Sequence, residues 1–128
     1  MRVCLDTNAY SRLMRGHDPL TQLLESADEI LIPATVLGEL HAGFEMGSRR
    51  EANRRQLGEF LALPGVEPVA VTPDVAERYG LLVSQLTHQG TPIPTNDIWI
   101  AANAMKHALA LYSFDEHFQE IDGLLVFQ

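Results

Sequence analysis

Asp6, Glu39, Asp97 and Asp115 stand at the positions where this 128-residue chain could do chemistry. Asp6-Thr7-Asn8 follows an apolar run, and Ser113-Phe114-Asp115 follows another. Glu39 lies on a helical stretch behind a third, and Asp97 follows Pro94-Thr95-Asn96 at the start of a further helix. Each acid has an ordinary reading when taken alone. Asp6 could cap a helix, Glu39 could face water, Asp97 could complement a helix dipole and Asp115 could turn the chain. As a set they point elsewhere. Glu39 is one position off the Val36, Leu40, Phe44 stripe, at the edge of a buried face and poorly placed for water alone.

Four carboxylates gathered at one place repel. Two unit charges about 4 Å apart cost roughly 4 kcal/mol at an effective dielectric of 20. Raised pKa values, neighbouring cations or a bound divalent metal relieve such a cost. The sequence has one lysine, Lys106, and no Lys or Arg adjoins any of the four acids. Metal is therefore the simplest answer. An all-oxygen site suits Mg²⁺ or Mn²⁺, whereas Zn²⁺ favours His or Cys ligands. Such a site serves phosphoryl chemistry.

The elements that must carry these residues read as an α/β domain with a mainly parallel sheet. Strands are expected at Val3–Leu5, Ile30–Ile32, Val69–Val71, Ala110–Tyr112 and Leu124–Phe127. Asp18-Pro19, the Ser48 to Glu51 capping box and Thr72-Pro73-Asp74 place helix starts near 19, 49 and 73. Two more helices follow Pro33 and Pro94, the second carrying Ile98, Ala101, Ala102, Met105 and Ala108. In a parallel sheet of this kind ligands collect at the carboxyl ends of the strands. No repeat, linker or low-complexity tract divides the chain, so residues 1–128 are expected to form a single domain.

Composition excludes several classes. The chain is 46% hydrophobic and 20% charged, as expected of a soluble globular domain. No apolar run reaches the roughly 18 residues of a membrane span, and Asp6 comes too early for a secretory signal, so a cytoplasmic location is expected. A single cysteine, Cys4, excludes an internal disulfide and a cysteine-based zinc site, and reads as strand filler. With 9 Lys+Arg against 17 Asp+Glu, a formal charge of -8 opposes wholesale capture of nucleic acid. Local clusters remain. Arg49, Arg50, Arg54 and Arg55 form one and Arg12 and Arg15 another; they could contact phosphates, receive a partner's acids, or simply pair along a solvated helix. His41 and His117 could donate to phosphate or metal, and Trp99 could stack on a base, though core or surface packing explains each as well.

Four segments together resemble the PIN-domain ribonucleases, and within them the VapC-type toxins of toxin–antitoxin pairs. They are Leu5 to Asn8, Pro33 to Leu40, Asn96 to Ala102, and Ser113 to Phe118. The resemblance covers essentially the whole chain and implies a PIN three-layer α/β/α sandwich with a central five-stranded sheet. Asp6, Glu39, Asp97 and Asp115 fall on that family's acidic quartet, with Thr7, Asn8 and Ser113 as supporting polar residues. Many relatives carry Thr where Ser113 stands; both offer a hydroxyl.

The resemblance further implies Mg²⁺- or Mn²⁺-dependent endonucleolytic hydrolysis of RNA, leaving a 5′-phosphate and a 3′-hydroxyl, and inhibition of translation. Asp6 and Asp97 would be the main metal ligands, Asp115 would complete the set or bind a second ion, and Glu39 would hold or deprotonate the attacking water. A VapB-type antitoxin is the implied partner and a homodimer the implied assembly, with Tyr10, Leu13, Met14, Leu37, Leu40 and Phe44 leaving an apolar groove between helices. Housekeeping RNA processing, or a PIN scaffold that only binds a partner, are the alternatives. A receiver domain is disfavoured because Asp6 has no adjacent acid, and a haloacid-dehalogenase-type phosphatase because Asp6-Thr7-Asn8 lacks the second acid of Asp-x-Asp.

Overall fold

A computed structural model describes residues 1–108 and 110–127. Five strands form one sheet: β1 (Arg2–Leu5), β2 (Glu29–Pro33), β3 (Val66–Val69), β4 (Ala110–Tyr112) and β5 (Val126–Phe127), in the order β3-β2-β1-β4-β5. Every pairing is parallel. Val3 sits opposite both Ile30 and Ala110, and Leu5 opposite Tyr112, so β1 is bonded on both sides. Parallel strands need long crossovers, and helices supply them. These are α1 (Thr7–Met14), α2 (Asp18–Ser26), α3 (Ala34–Met46), α4 (Arg50–Leu61), α5 (Pro73–Gln89) and α6 (Thr95–His107), with a short 3₁₀ helix at Glu116–Glu120. The architecture is a three-layer α/β/α sandwich.

Burial explains the strand composition. Val3, Cys4 and Leu5 on β1 and Ala110, Leu111 and Tyr112 on β4 are all buried, as strands covered on both faces must be. Helix α6 packs on β1, β2 and β4 and buries Ile98, Ile100, Ala101, Ala102 and Ala104. Its three alanines let the helix axis approach the sheet closely. Each fully buried Leu or Ile contributes roughly 1.5–3 kcal/mol relative to exposure, and the central strands supply several. Among the described residues no helix is long and apolar enough to cross a membrane.

The structure corrects several local expectations. Strand β3 spans Val66–Val69 rather than 69–71, and includes Glu67 and Pro68. It is an edge strand bonded only to β2, where a missing proline N–H is tolerated. Strand β5 is confined to Val126–Phe127, leaving Leu124 and Leu125 before it. Helix α1 starts directly after β1, with no loop between them to mark it in the sequence. The capping box at Ser48 does not form: Arg49 is the cap residue of α4 and no side chain bonds the helix end. Asp18 lies inside the first turn of α2 behind His17, while Thr72 does cap α5, accepting from Val75 N–H. Gly90 ends α5 in the left-handed conformation at φ 72°, which a side chain rarely adopts.

The strand order reverses between β1 and β4. From β1 the chain proceeds through β2 to β3 on one side, and β4 and β5 fill the other. The crevice at such a reversal opens at the carboxyl ends of the strands. Asp6 follows β1 and Ser113 follows β4, so both stand at its rim. Helix α6 precedes a parallel strand and therefore begins at this same edge, which brings Asp97 to it. Helix α3 leaves β2 from there, carrying Glu39.

Candidate active site

Asp6, Glu39, Asp97 and Asp115 converge on one pocket of about 170 Å³, whose wall also includes Thr7, Asn8 and Ile100. All four acids singled out by type and position thus reach one place, although they are spread over 110 residues of sequence. Ile100 is an addition the sequence did not suggest. It lies one turn after Asp97 on α6 and gives the pocket an apolar wall.

Asp6 is 4% exposed and caps α1. One carboxylate oxygen, Oδ1, accepts from Ala9 N–H at 2.8 Å, and the other accepts from the Ser113 hydroxyl. Burial pushes its carboxyl pKa up; the Ser113 and Ala9 hydrogen bonds oppose that, and the charges of Asp97 and Asp115 add to it. Ser113 is fully buried, and its Oγ also accepts from Asp115 N–H at 3.0 Å. A single hydroxyl therefore ties the ends of β1 and β4 together.

Asp97 occupies the first turn of α6 and is partly buried. Its carboxyl pKa is likewise raised, chiefly by burial, then by Asp115, with His117 opposing and Glu39 contributing. His117 Nδ1 lies 3.2 Å from Asp97 Oδ2 and 3.0 Å from Asp115 Oδ1. The backbone N–H of His117 also donates to Asp115 Oδ1, at 2.9 Å. Of the two histidines considered from sequence, His117 belongs to the site, whereas His41 packs edge-on against Phe44. On α3, Glu39 accepts from the Thr7 hydroxyl at 2.7 Å, which fixes Oε1 from across the pocket.

The donor set fits a divalent cation. One carboxylate oxygen each from Asp97 and Asp115 and a ring nitrogen of His117 lie within 4.8 Å of one another, and Asp6 stands outside that tight set on the buried side. The pocket is dominated by oxygen donors, and the acids' mutual repulsion favours any positive charge placed among them. The lone lysine is elsewhere, 3.6 Å from Asp74.

The arginines separate into distinct roles. Arg12 stacks on the ring of Phe114, 3.8 Å from its centroid, beside the Ser113 to Asp115 loop. Arg50 is held by Glu45 at 2.8 Å and Glu51 at 3.8 Å. Arg54 and Arg55 are exposed on α4 and make no ion pair among the described residues. Arg15 and Arg49 line a second cavity, next to Tyr10, Met14 and Phe44 of the expected groove. Leu13 lines a neighbouring depression with Met14, Leu24, Ile30 and Phe60, and Leu37 and Leu40 of the expected groove line neither. Trp99 stacks on Tyr79 at 3.8 Å between centroids and so packs within the protein.

Comparisons with known proteins agree with this geometry. The family model described as PIN domain matches residues 3–124. Ribonuclease VapC4 of Mycobacterium tuberculosis is 34% identical over 87 residues, covering 68% of this chain and 67% of that protein. Among solved structures, VapBC2 from Rickettsia felis, bound to a DNA fragment from its promoter, matches with a TM-score of 0.88 and 28% identity over 99% of this chain and 98% of that one. VapBC-1 from nontypeable Haemophilus influenzae also gives 0.88, at 25% identity over 100% and 98%.

Proposed function

The chain belongs to the PIN-domain family, and from that premise we propose that it is an endoribonuclease of the VapC type, the toxin of a toxin–antitoxin pair. One observation carries the chemistry: four carboxylates, from the residue after β1, from α3, from α6 and from the loop after β4, face one small pocket at the sheet's switch point. The toxin reading is supported by the ribonuclease relatives and by the VapBC complexes that share the fold. A VapB-type antitoxin is the corresponding partner, and inhibited translation the corresponding effect of RNA cleavage.

Asp97 and Asp115, with Asp6 on the buried side and His117 beside them, would hold Mg²⁺ or Mn²⁺. Such an ion supplies Lewis acidity toward phosphate oxygens and lowers the pKa of water. Glu39, oriented by Thr7, accepts the proton as the water oxygen bonds to phosphorus. The bond from phosphorus to the 3′-oxygen breaks, and that oxygen takes a proton from solvent. The products are a 5′-phosphate and a 3′-hydroxyl. Asn8, which lies on the pocket wall, would hydrogen-bond a phosphate oxygen.

The test is cleavage of an end-labelled structured RNA by wild type and Asp97→Asn, with Mg²⁺, Mn²⁺ or EDTA, both proteins checked by circular dichroism. Metal-dependent cutting lost in the folded variant is expected. Undiminished cutting by folded Asp97→Asn would overturn the assignment. Growth arrest on expression, relieved by co-expression of a neighbouring small protein, separates the toxin from a housekeeping nuclease, and sedimentation of the purified chain tests the homodimer.

A further inference from the structure

A polyanion approaching this protein meets a chain of charge -8 and an acidic pocket. Affinity for RNA must therefore come from cations close to the site, within the screening length of about 8–10 Å. The second cavity, of about 470 Å³ between α1, the end of α3 and α4, has that character. Arg15 and Arg49 line it, no acid does, and Ser11, Asn53 and Gln56 add neutral hydrogen-bonding groups. Neither arginine makes an ion pair among the described residues, in contrast to Arg50, which Glu45 holds. Tyr10 forms part of the wall, and its buried hydroxyl has no hydrogen-bond partner among the described residues.

Helices α1 and α3 contribute to both cavities. Asn8 lines the acidic pocket, while Ser11 on the same helix and Arg15, the residue that caps its end, line the basic one; these positions are i, i+3 and i+7. At 1.5 Å per residue Ser11 lies about 4.5 Å and Arg15 about 10 Å beyond Asn8. Helix α3 also reaches both, with Glu39 in one pocket and Phe44, five residues further along, in the other. A strand whose scissile phosphate lies among the acids would thus place a neighbouring phosphate in the basic cavity. Guanidinium forks suit that ligand.

We propose that the Arg15–Arg49 cavity is a phosphate-binding subsite for the single-stranded RNA next to the bond that is cut. This rests on the nuclease reading, and binding separates the two. A fluorescent single-stranded RNA of about twelve nucleotides is titrated in EDTA at several salt concentrations against wild type, Arg15→Ala, Arg49→Ala and the control Arg54→Ala. Both cavity variants should weaken binding several-fold and flatten the salt slope by about 0.7 each, with the control unchanged. In Mg²⁺, a dinucleotide too short to reach the cavity should be hydrolysed by the variants at the wild-type rate, while longer RNA shows a raised KM. Unchanged affinity and slope would overturn the subsite and leave the cavity to an acidic segment of a protein partner; equal losses on the dinucleotide would overturn it too. Arginine-dependent binding without hydrolysis would uphold phosphate binding in the cavity while overturning its place beside a cut bond.

Discussion

The hydroxyl of Ser113 donates to the carboxylate of Asp6 across 107 residues of sequence, inside a region closed to solvent. It joins the carboxyl ends of the two strands between which the sheet order reverses. Because the same oxygen accepts from Asp115 N–H, it sets the spacing of two acids at once. Ser113→Ala leaves one Asp6 oxygen buried without that donor, and a lost hydrogen bond to a charged group costs about 1.5–3 kcal/mol. RNA cleavage should fall roughly 10- to 100-fold, with a lower midpoint in urea. Ser113→Thr keeps the donor and should stay within a few-fold of wild type. Steady-state cleavage and urea unfolding of both variants check this, and equal losses in Ala and Thr would refute it.

Burial of Asp97, with its acidic neighbours second, has a consequence for thermal stability. Its carboxyl pKa lies above the ordinary 3.8 because of burial, Asp115 and Glu39, so the folded state favours the protonated form. The sign follows: this group's contribution to stability is lost as pH rises through the folded pKa, and at neutral pH the ionised side chain opposes folding. Asp97→Asn should therefore melt a few degrees above wild type in EDTA at pH 7. Added Mg²⁺ should raise the wild-type midpoint more than the variant's. Differential scanning fluorimetry of the two proteins with and without Mg²⁺ reads both effects, and a lower melting point of the variant in EDTA would contradict the sign.

The four acids were legible because each occupies a position that topology sends to one edge: after β1, after β4, at the start of α6 and on the helix behind β2. Strand composition alone supports that placement. What the sequence hid were features set by tertiary neighbours. Pro68 reads as a breaker, yet β3 tolerates it because only one side of that strand is bonded. Asp6 carries two signals at once, ending β1 and capping α1, so the helix behind it is masked by the acid's other role. His117 reads from its type as one of two possible donors to phosphate or metal, and the approach of α6 to the loop after β4 is what separates it from His41 by bringing it to both Asp97 and Asp115. In the arginine cluster spacing suggests pairs within α4, and although Arg50 lies 3.8 Å from Glu51 there, its shorter contact, 2.8 Å, reaches back to Glu45 near the end of α3.

Cys4 supplies a probe of the same region without touching it chemically. It is 1% exposed on the central strand, two residues before Asp6, and burial followed by the charge of Asp6 pushes its thiol pKa far up. Thiolate is the reactive species, so the native protein should not react with an aromatic disulfide reagent at pH 8. One thiol should appear in denaturant. Rapid native labelling would show that the β1 end opens readily, and would remove the rigid support on which the Ser113 and Asp6 contact depends.

Glu39 and the acids proposed to hold the cation should separate experimentally. Glu39 lies outside the tight donor group of Asp97, Asp115 and His117, and its Oε1 is committed to the Thr7 hydroxyl at 2.7 Å. If it takes the proton from water, Glu39→Gln keeps shape and hydrogen-bonding capacity while losing basicity. Cleavage should drop by about 10²- to 10⁴-fold, the range for removal of a general base, while the Mg²⁺-induced rise in melting point stays near wild type. Thr7→Val removes only the orienting bond and should cost about tenfold in kcat with little change in KM. Loss of the Mg²⁺-induced stabilisation in Glu39→Gln would instead make this side chain a ligand. The proton would then have to leave through another group of the site.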